Sequence, residues 1–380
     1  MHFKLGNQSF DCTIQKNNNI FLLEFEPAVD AKKKVVDINQ QAKNIIDYMQ
    51  KPGSLQMFCT FVAEETRIIT GYDRVMIYKF DEYCNGHVCA KSKSDGMKSW
   101  MNLHYLHTDI PVQARALYLK NTLRIIPDVN YTPSPVFTID DAPDKDLDLS
   151  MSIRRSSSPI HLQYLKNMGV TASLTISPVH SDKLWGMIAC YHNTPKYLNG
   201  EVRMAATIQG RILTSQISNR DLAEEYDEAK HIDNALNNLL VQVFSSEGLL
   251  VDDLVIQKDL LLITKASGVI IILNDKIFSV GNVSEPAEIK KLVNWLHTYS
   301  RATGINISNL SSLYKDAKKW SNIVSKVIYH SLGSGQRNCI IWCRPEVIQE
   351  VNWAGNPHEA IVKVKGSLSP RNSFETWKET

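Results

Sequence analysis

From Glu201 to Glu247 the chain carries no helix breaker except Gly210, and Leu236, Leu239, Leu240, Val243 and Phe244 recur at helical spacing. A connecting helix of that length far exceeds the usual globular one and predicts a spine or a coiled-coil dimer seam. The alternative is two helices, each packed on its own domain. Either way the stretch separates two patterned halves, and 380 residues suffice for two or three domains.

Ahead of the helix, Phe10–Ile14 alternates, Asn17-Asn18-Asn19 supplies a turn, and Ile20–Phe25 is strand-like until Pro27. A lone hairpin is marginal in water, so these strands must join something larger. The apolar positions Ile38, Ala42, Ile45, Ile46 and Met49 predict a helix from Val36, ended by Lys51-Pro52-Gly53. A second, with Leu55, Phe58, Phe61 and Val62, runs to Gly71. Strands are expected at Asp73–Phe80, His87–Ala90, Ser173–Ser177 and Leu184–His192, with a Pro- and Asp-rich irregular stretch from Pro127 to Asp148. Loops of that length are uncommon without a function. The order fits an α+β domain with a central antiparallel sheet.

Beyond the helix a second α+β pattern follows. Leu249–Leu254, Leu261–Lys265, Val269–Leu273 and Val324–Tyr329 are strand-like, and helices are expected over 286–301 and 310–320. Residues 334–380 show little regular periodicity but many special residues, among them Trp353-Ala-Gly355 and Ser369-Pro-Arg-Asn-Ser-Phe374.

Several classes of function are disfavoured. Lys and Arg total 42 against 40 Asp and Glu, a formal charge of +2, which lacks the cationic surplus that nucleic acid requires. Seven scattered cysteines without a CxxC pair argue against a disulfide framework and for the cytoplasm. The start, MHFKLGNQSFDC, has no signal-peptide core, and the strongest apolar run, Gly268–Leu273, is too short to cross a bilayer. No Gly-rich phosphate loop, HExxH or GxSxG occurs, so no enzyme is expected. His104 and His107 near Asp109 superficially suggest metal. With no cysteine partner and Pro111 imposing an irregular segment, no zinc site is expected.

Two stretches carry more. In Asp109-Ile-Pro-Val-Gln-Ala-Arg115, Pro111 favours an extended Ile110 and a helix just after it. Asp109 then reads as a capping carboxylate, and otherwise as a fixed anion facing a ligand with N–H donors. In Arg154-Arg-Ser-Ser-Ser-Pro-Ile-His161, Pro159 opens a helix that sets His161, Tyr164 and Leu165 on one side. The arginines before it form either a carboxylate or phosphate clamp or a solvated basic loop.

Taken together, Gly71–Phe80, Asp109-Ile-Pro111, Ser158–Gly169, Leu184–Cys190, Arg344-Pro-Glu346, Trp353-Ala-Gly355 and Pro370-Arg-Asn-Ser-Phe374 resemble the phytochrome photosensory module, bacteriophytochromes in particular. The resemblance implies the last strands of a PAS domain at 1–29 and a bilin-binding GAF domain at 30–215. A long helix then joins it to a GAF-like PHY domain at 216–380 with a tongue hairpin. It implies a red/far-red photoreceptor that binds a linear tetrapyrrole, forms a homodimer and lacks activity of its own. Carried over by motif position, Asp109, Ile110 and Pro111 lie beside the pyrrole nitrogens, and His161 organises water there. Tyr118, Arg124, Arg155, Ser158, Ser173 and Thr175 fall at propionate positions, and Tyr78, Tyr105 and Tyr164 surround the isomerising ring. Trp353, Gly355, Arg371 and Ser373 belong to the tongue, where Arg371 pairs with Asp109 and Ser373 replaces it after refolding.

The chain also departs from the family. Ile160 stands where plant and cyanobacterial members attach the pigment through cysteine, and Cys12 is not in the bacteriophytochrome attachment context. A non-covalent biliverdin or related bilin is therefore expected. Tyr191 replaces the usual histidine facing the terminal-ring carbonyl, which tunes the spectrum without abolishing it. The chain reads as truncated at both ends, with an output kinase or response regulator encoded elsewhere. The alternative reading is a chromophore-less GAF–PHY dimerisation scaffold.

Overall fold

The structure, a computed structural model, describes residues 2–17, 20–28, 38–137, 147–245, 258–299, 303–333, 338–347, 350–357, 361–364, 367–370 and 373–379. These divide into two units, Met1–Asp221 with Glu350–Thr380, and Leu222–Gln349.

The first unit opens with β1 (His2–Leu5), β2 (Gln8–Asn17) and β3 (Ile20–Pro27) in one antiparallel sheet. The expected hairpin is present and longer, with β1 added to its edge. Glu24 fastens the sheet to the chain ahead of the Pro159 helix, accepting hydrogen bonds from Ser152 Oγ at 2.7 Å and from the backbone N–H groups of Ile153 and Arg154. Helices α1 (Ile38–Met49) and α2 (Leu55–Thr70) follow. Ser54 accepts from the Met57 N–H to start α2, and Gly71 ends it at φ 62°, a left-handed conformation that glycine adopts freely.

Next come β4 (Arg74–Phe80), β5 (Gly86–Lys93), β6 (Leu103–Tyr105), α3 (Val112–Lys120), β7 (Leu123–Ile126), α4 (Pro159–Asn167) and β8 (Ala172–Ile176). A small hairpin, β9 (Val179–His180) and β10 (Lys183–Leu184), precedes β11 (Gly186–His192). The single strand expected over Leu184–His192 is interrupted at Trp185, whose N–H donates to the Pro178 carbonyl and whose carbonyl accepts from Phe80. Strands pair antiparallel in the order β6-β5-β4-β11-β8-β7.

Both faces of this sheet are covered, and period-2 alternation assigns each residue to one of them. Val75, Ile77, Leu174, Ile176, Ile188 and Cys190 pack with Phe58 and Val62 of α2 and with Ala206, Leu213 and Ile217 of α5 (Gly200–Ser245). The long segment is thus one continuous helix, not two. Its one interior glycine packs against the sheet: a Cβ at Gly210 would lie 2.5 Å from Ile176 Cγ2.

The second unit contains α6 (Asp259–Leu262), β12 (Gly268–Leu273), β13 (Lys276–Gly281), α7 (Pro286–Tyr299), β14 (Gly304–Ile307), α8 (Leu310–Leu313), β15 (Lys326–Leu332) and β16 (Asn338–Arg344). Its antiparallel sheet runs β13-β12-β16-β15-β14. Ile270 and Ile272 face Leu292 and Leu296 of α7, while Val269 and Ile271 face Leu239 and Leu260. Several expectations are corrected here. Leu261–Lys265 is a helical turn, because Leu260 must reach inward and Lys265 takes φ 51° to re-enter the sheet. The helix expected over 310–320 breaks at Tyr314 (φ −121°, ψ 95°) into α8 and a 3-10 turn. The strand expected from Val324 starts at Lys326. Leu249–Leu254 lies outside the described residues.

Residues 350–379 belong to the first unit and are more regular than their sequence suggests. They form β17 (Val351–Ala354), β18 (Ile361–Val364), β19 (Ser367–Pro370) and β20 (Thr376–Glu379). β17 pairs parallel with β6, matching Asn352 to Leu103 and Trp353 to His104, and antiparallel with β20. Two strands are thereby added to the sheet edge. Among the described residues, no helix is long and apolar enough to cross a membrane.

Candidate functional site

The sheet face turned away from α2 and α5 forms the floor of a cavity. β4 contributes Met76 and Tyr78, β11 contributes Met187, Ala189 and Tyr191, and β8 contributes Ser173 and Thr175. Register aligns Tyr78 with Met187, Met76 with Ala189, Ala189 with Thr175, and Tyr191 with Ser173, so these side chains share one face. The connections supply the walls: Tyr105 ends β6, Asp109 and Ile110 follow it, Tyr118 comes from α3, and α4 presents His161, Tyr164 and Leu165. The cavity they enclose is small, about 40 Å³.

The structure therefore brings together Tyr78, Tyr105, Asp109, Ile110, Tyr118, His161, Tyr164, Ser173, Thr175 and Tyr191. It does not place Pro111, Arg124, Arg155, Ser158 or Ile160 on the cavity wall. Pro111 and Ser158 are exposed and Ile160 is 44% exposed, on the outer side of its helix. Met76, Met187 and Ala189 were missed by sequence reasoning. Their signal was available, since they alternate with the core residues Val75, Ile77, Ile188 and Cys190.

Asp109 is not the cap of α3. That position falls on Pro111, which offers no side-chain acceptor, and Asp109 lies in a 3-10 turn, His107–Asp109, ahead of Ile110 at φ −126° and ψ 85°. Asp109 lines the cavity instead, where its charge acts on Tyr164 and Tyr191. Arg115 holds this corner, its guanidinium donating to the carbonyls of His107 and Ile110. The proline-started helix after Ser158 forms as expected, and it stacks His161 and Tyr164 with rings 6.3 Å apart at 9°.

Arg154 does not act as a clamp at the cavity. Its guanidinium donates to Glu26, 2.8 Å from Oε2. Arg155 donates through Nη1 to the carbonyls of Ser150 and Ser152, while its buried Nη2 has no partner among the described residues. It borders a second opening with Ile125, Asp128, Tyr131 and Ser157. Burial lowers the Arg155 pKa, and the positive charge of Arg124 lowers it further, so the two cations lie close enough to interact.

The cavity favours neutral forms. Burial, with a contribution from Arg124, pushes His161 down to about 3, so its imidazole is uncharged near neutrality. Burial raises the phenols of Tyr164 and Tyr191, each reinforced by the Asp109 carboxylate. No cysteine lines the cavity. Among the described residues, no group of three or more His, Cys, Asp or Glu side chains is placed to hold a metal.

The hairpin packs beside this region. Phe374 meets the Tyr164 ring edge-on at 5.0 Å and 90°, and Ala354, only 1% exposed, joins the cluster of Tyr78, Tyr105 and Tyr118. Trp353 lies edge-on to His104, 5.8 Å away. Gly355 takes φ 97° and donates to the Glu375 carbonyl, while exposed Ser373 accepts through Oγ from the Glu375 N–H. Arg371 lies outside the described residues.

The first unit thus combines a two-faced sheet, an aromatic cavity on one face, and a hairpin at the sheet edge that follows the long helix in the chain. The GAF domain model matches residues 54–212 and the phytochrome region model matches 233–380. The chain is 38% identical to cyanobacterial phytochrome B of Nostoc sp. over 98% of its own length and 50% of that protein's. It is 33% identical to a bacteriophytochrome of Xanthomonas campestris, covering 95% of this chain and 58% of the other. The crystal structure of a bacteriophytochrome from the photosynthetic bacterium R. palustris superposes with a TM-score of 0.75 at 33% identity, covering 98% of this chain and 75% of that one. The chain belongs to the phytochrome family, with the α+β architecture of its GAF and PHY domains. It spans about half the length of the curated relatives it matches.

Proposed function

We propose that this chain is the light-sensing module of a red/far-red receptor and holds a linear tetrapyrrole, biliverdin or a close relative, in the cavity beside the hairpin. The convergence of Tyr78, Tyr105, Tyr164, Tyr191, His161 and Asp109 on one cavity carries this reading. A bilin is flat and largely apolar, with ring N–H donors and two propionates, so its site needs aromatic walls, an acceptor and cations. The donor set fits. Asp109 and its carbonyl are the acceptors, uncharged His161 can bind water without adding charge, and Arg155 retains an unused buried donor beside Arg124.

Bound bilin supplies absorption of visible light and a double bond that can isomerise. The protein's part is to hold the pigment flat, exclude water and keep His161 and the phenols neutral. With no cysteine on the cavity wall and Ile160 at the attachment position, the pigment is held non-covalently. The hairpin is the output element: Phe374 and Ala354 seat it on the cavity walls, and pairing of Arg371 with Asp109, exchanged for Ser373, is the proposed switch. The domain limits follow the same reading: PAS strands at 1–29, GAF at 30–215 and PHY at 216–380. The module is a cytoplasmic homodimer whose output lies in another domain or protein.

Biliverdin added to the purified chain tests this. A red-shifted absorption band that bleaches under red light, with no zinc-fluorescent band on a denaturing gel, is expected. A fluorescent band at the protein mass would overturn the non-covalent assignment, and a chain that stays colourless would favour the pigment-free scaffold.

A further inference from the structure

Gly86, at the start of β5, is a glycine whose backbone does not need to be one. It is absent from the residues at positive φ, so an alanine could adopt its conformation. The space above it is another matter. A Cβ built on Gly86 would lie 1.7 Å from Tyr78 Cε1, 2.0 Å from Cζ and 2.4 Å from Oη. The Tyr78 ring therefore lies flat over the glycine Cα, where no side chain can stand.

Register explains how the ring gets there. β4 and β5 pair Ile77 with Ala90 but Tyr78 with Val88, a bulge that leaves Cys89 of β5 as the extra residue. Gly86 is opposite Phe80 on one side and Tyr105 on the other, placing it diagonally from Tyr78 on the cavity face. Diagonal neighbours in an antiparallel pair are within reach of an aromatic ring, and an aromatic folded over a cross-strand glycine is a recognised way to pin a sheet. Phe80 bounds the ring edge-on at 5.2 Å and Tyr105 bounds it at 5.5 Å. With Met76 and Met187, the ring also lines the cavity.

We infer that Gly86 is a positioning residue for the pigment cavity: its missing side chain is the seat that keeps the Tyr78 ring against the floor. Any larger residue at position 86 drives the ring into the volume the pigment needs. The inference rests on the functional reading above for its ligand, but not for its geometry.

The test is a double-mutant cycle of wild type, Gly86→Ala, Tyr78→Ala and the double variant, each followed by urea unfolding without pigment and by titration with biliverdin. Overpacking predicts that Gly86→Ala lowers the urea midpoint, weakens biliverdin binding about tenfold or more and shifts its absorption band. Removing the ring removes the conflict, so adding Gly86→Ala to Tyr78→Ala should change neither midpoint nor affinity. An equal loss in both backgrounds would show a backbone role and overturn the inference, as would a Gly86→Ala protein identical to wild type. If Gly86→Ala does not fold, recovery of folding in the double variant supports the seat, and failure there refutes it. A wild type that takes no biliverdin would refute the functional reading alone, because the unfolding cycle needs no pigment.

Discussion

Glu26 sets the clearest energetic constraint of any single residue. Arg203, 4% exposed, donates to both of its carboxylate oxygens at 2.8 and 2.6 Å, and Arg154 donates from the other side. Burial pushes this carboxyl up, but the hydrogen bonds and charges of the two arginines outweigh it and leave the pKa below its usual 4.5. Breaking a buried pair strands the remaining charge, so Glu26→Ala should cost about 3–5 kcal/mol in chemical unfolding. A loss no larger than that of an exposed ion pair would refute this. His161 makes a different, pH-dependent prediction. Its folded value of about 3 lies below the ordinary 6.5, so between these limits the unfolded chain binds more protons. Stability should be fully present above about pH 6.5 and be lost as pH falls toward 3. In the pigment-free chain, His161→Gln should flatten that part of the urea-midpoint profile; an unchanged slope would contradict it. The Glu26 contribution fades only below about pH 4.5, so of the two groups His161 alone acts between about pH 6.5 and 4.5.

Among the elements, α5 shows two effects in competition. Alanine is favoured over glycine inside a helix by about 1 kcal/mol, which predicts stabilisation on replacing Gly210. The 2.5 Å approach to Ile176, a stiff β-branched residue buried in the core, predicts the reverse, since overpacking costs about 1–3 kcal/mol. Gly210→Leu should therefore destabilise in urea unfolding, and a gain would mean that helix and sheet have room to separate. In the hairpin, Ala354→Glu puts a carboxylate into an apolar cluster and should strip hydrogen-exchange protection from Val351–Ala354. Unchanged protection would show that the hairpin is not held there. Elements with an uninterrupted period, such as α2, α5, β4 and β12, were legible in the sequence. Tyr314 concealed a break because its backbone turns extended without proline or glycine. β16 escaped notice although Cys339, Ile341 and Cys343 are buried in alternation, because it borders a segment dense with irregular residues. At the site, Tyr78, His161 and Tyr191 followed from the family motifs. Taken alone, the residues favoured a cap for Asp109, since only the fold shows that α3 starts too late for it.

For the whole molecule, the two units share a design: a sheet covered on both faces, with helices supplying one cover. In the first unit the second cover is incomplete and leaves the cavity, which the returning hairpin borders. In the second, α7 fills one side and α6 with Leu239 fills the other. The second unit also has an opening, but it is lined by Lys265, Lys326 and Arg344, and the pigment is assigned to the first because the cavity there has aromatic walls. The most direct measurement is an absorption spectrum of the purified chain with excess biliverdin, before and after red illumination. The account predicts a long-wavelength band that falls under red light as a new band grows further to the red. A spectrum that stays that of free biliverdin, unaltered by light, would contradict it.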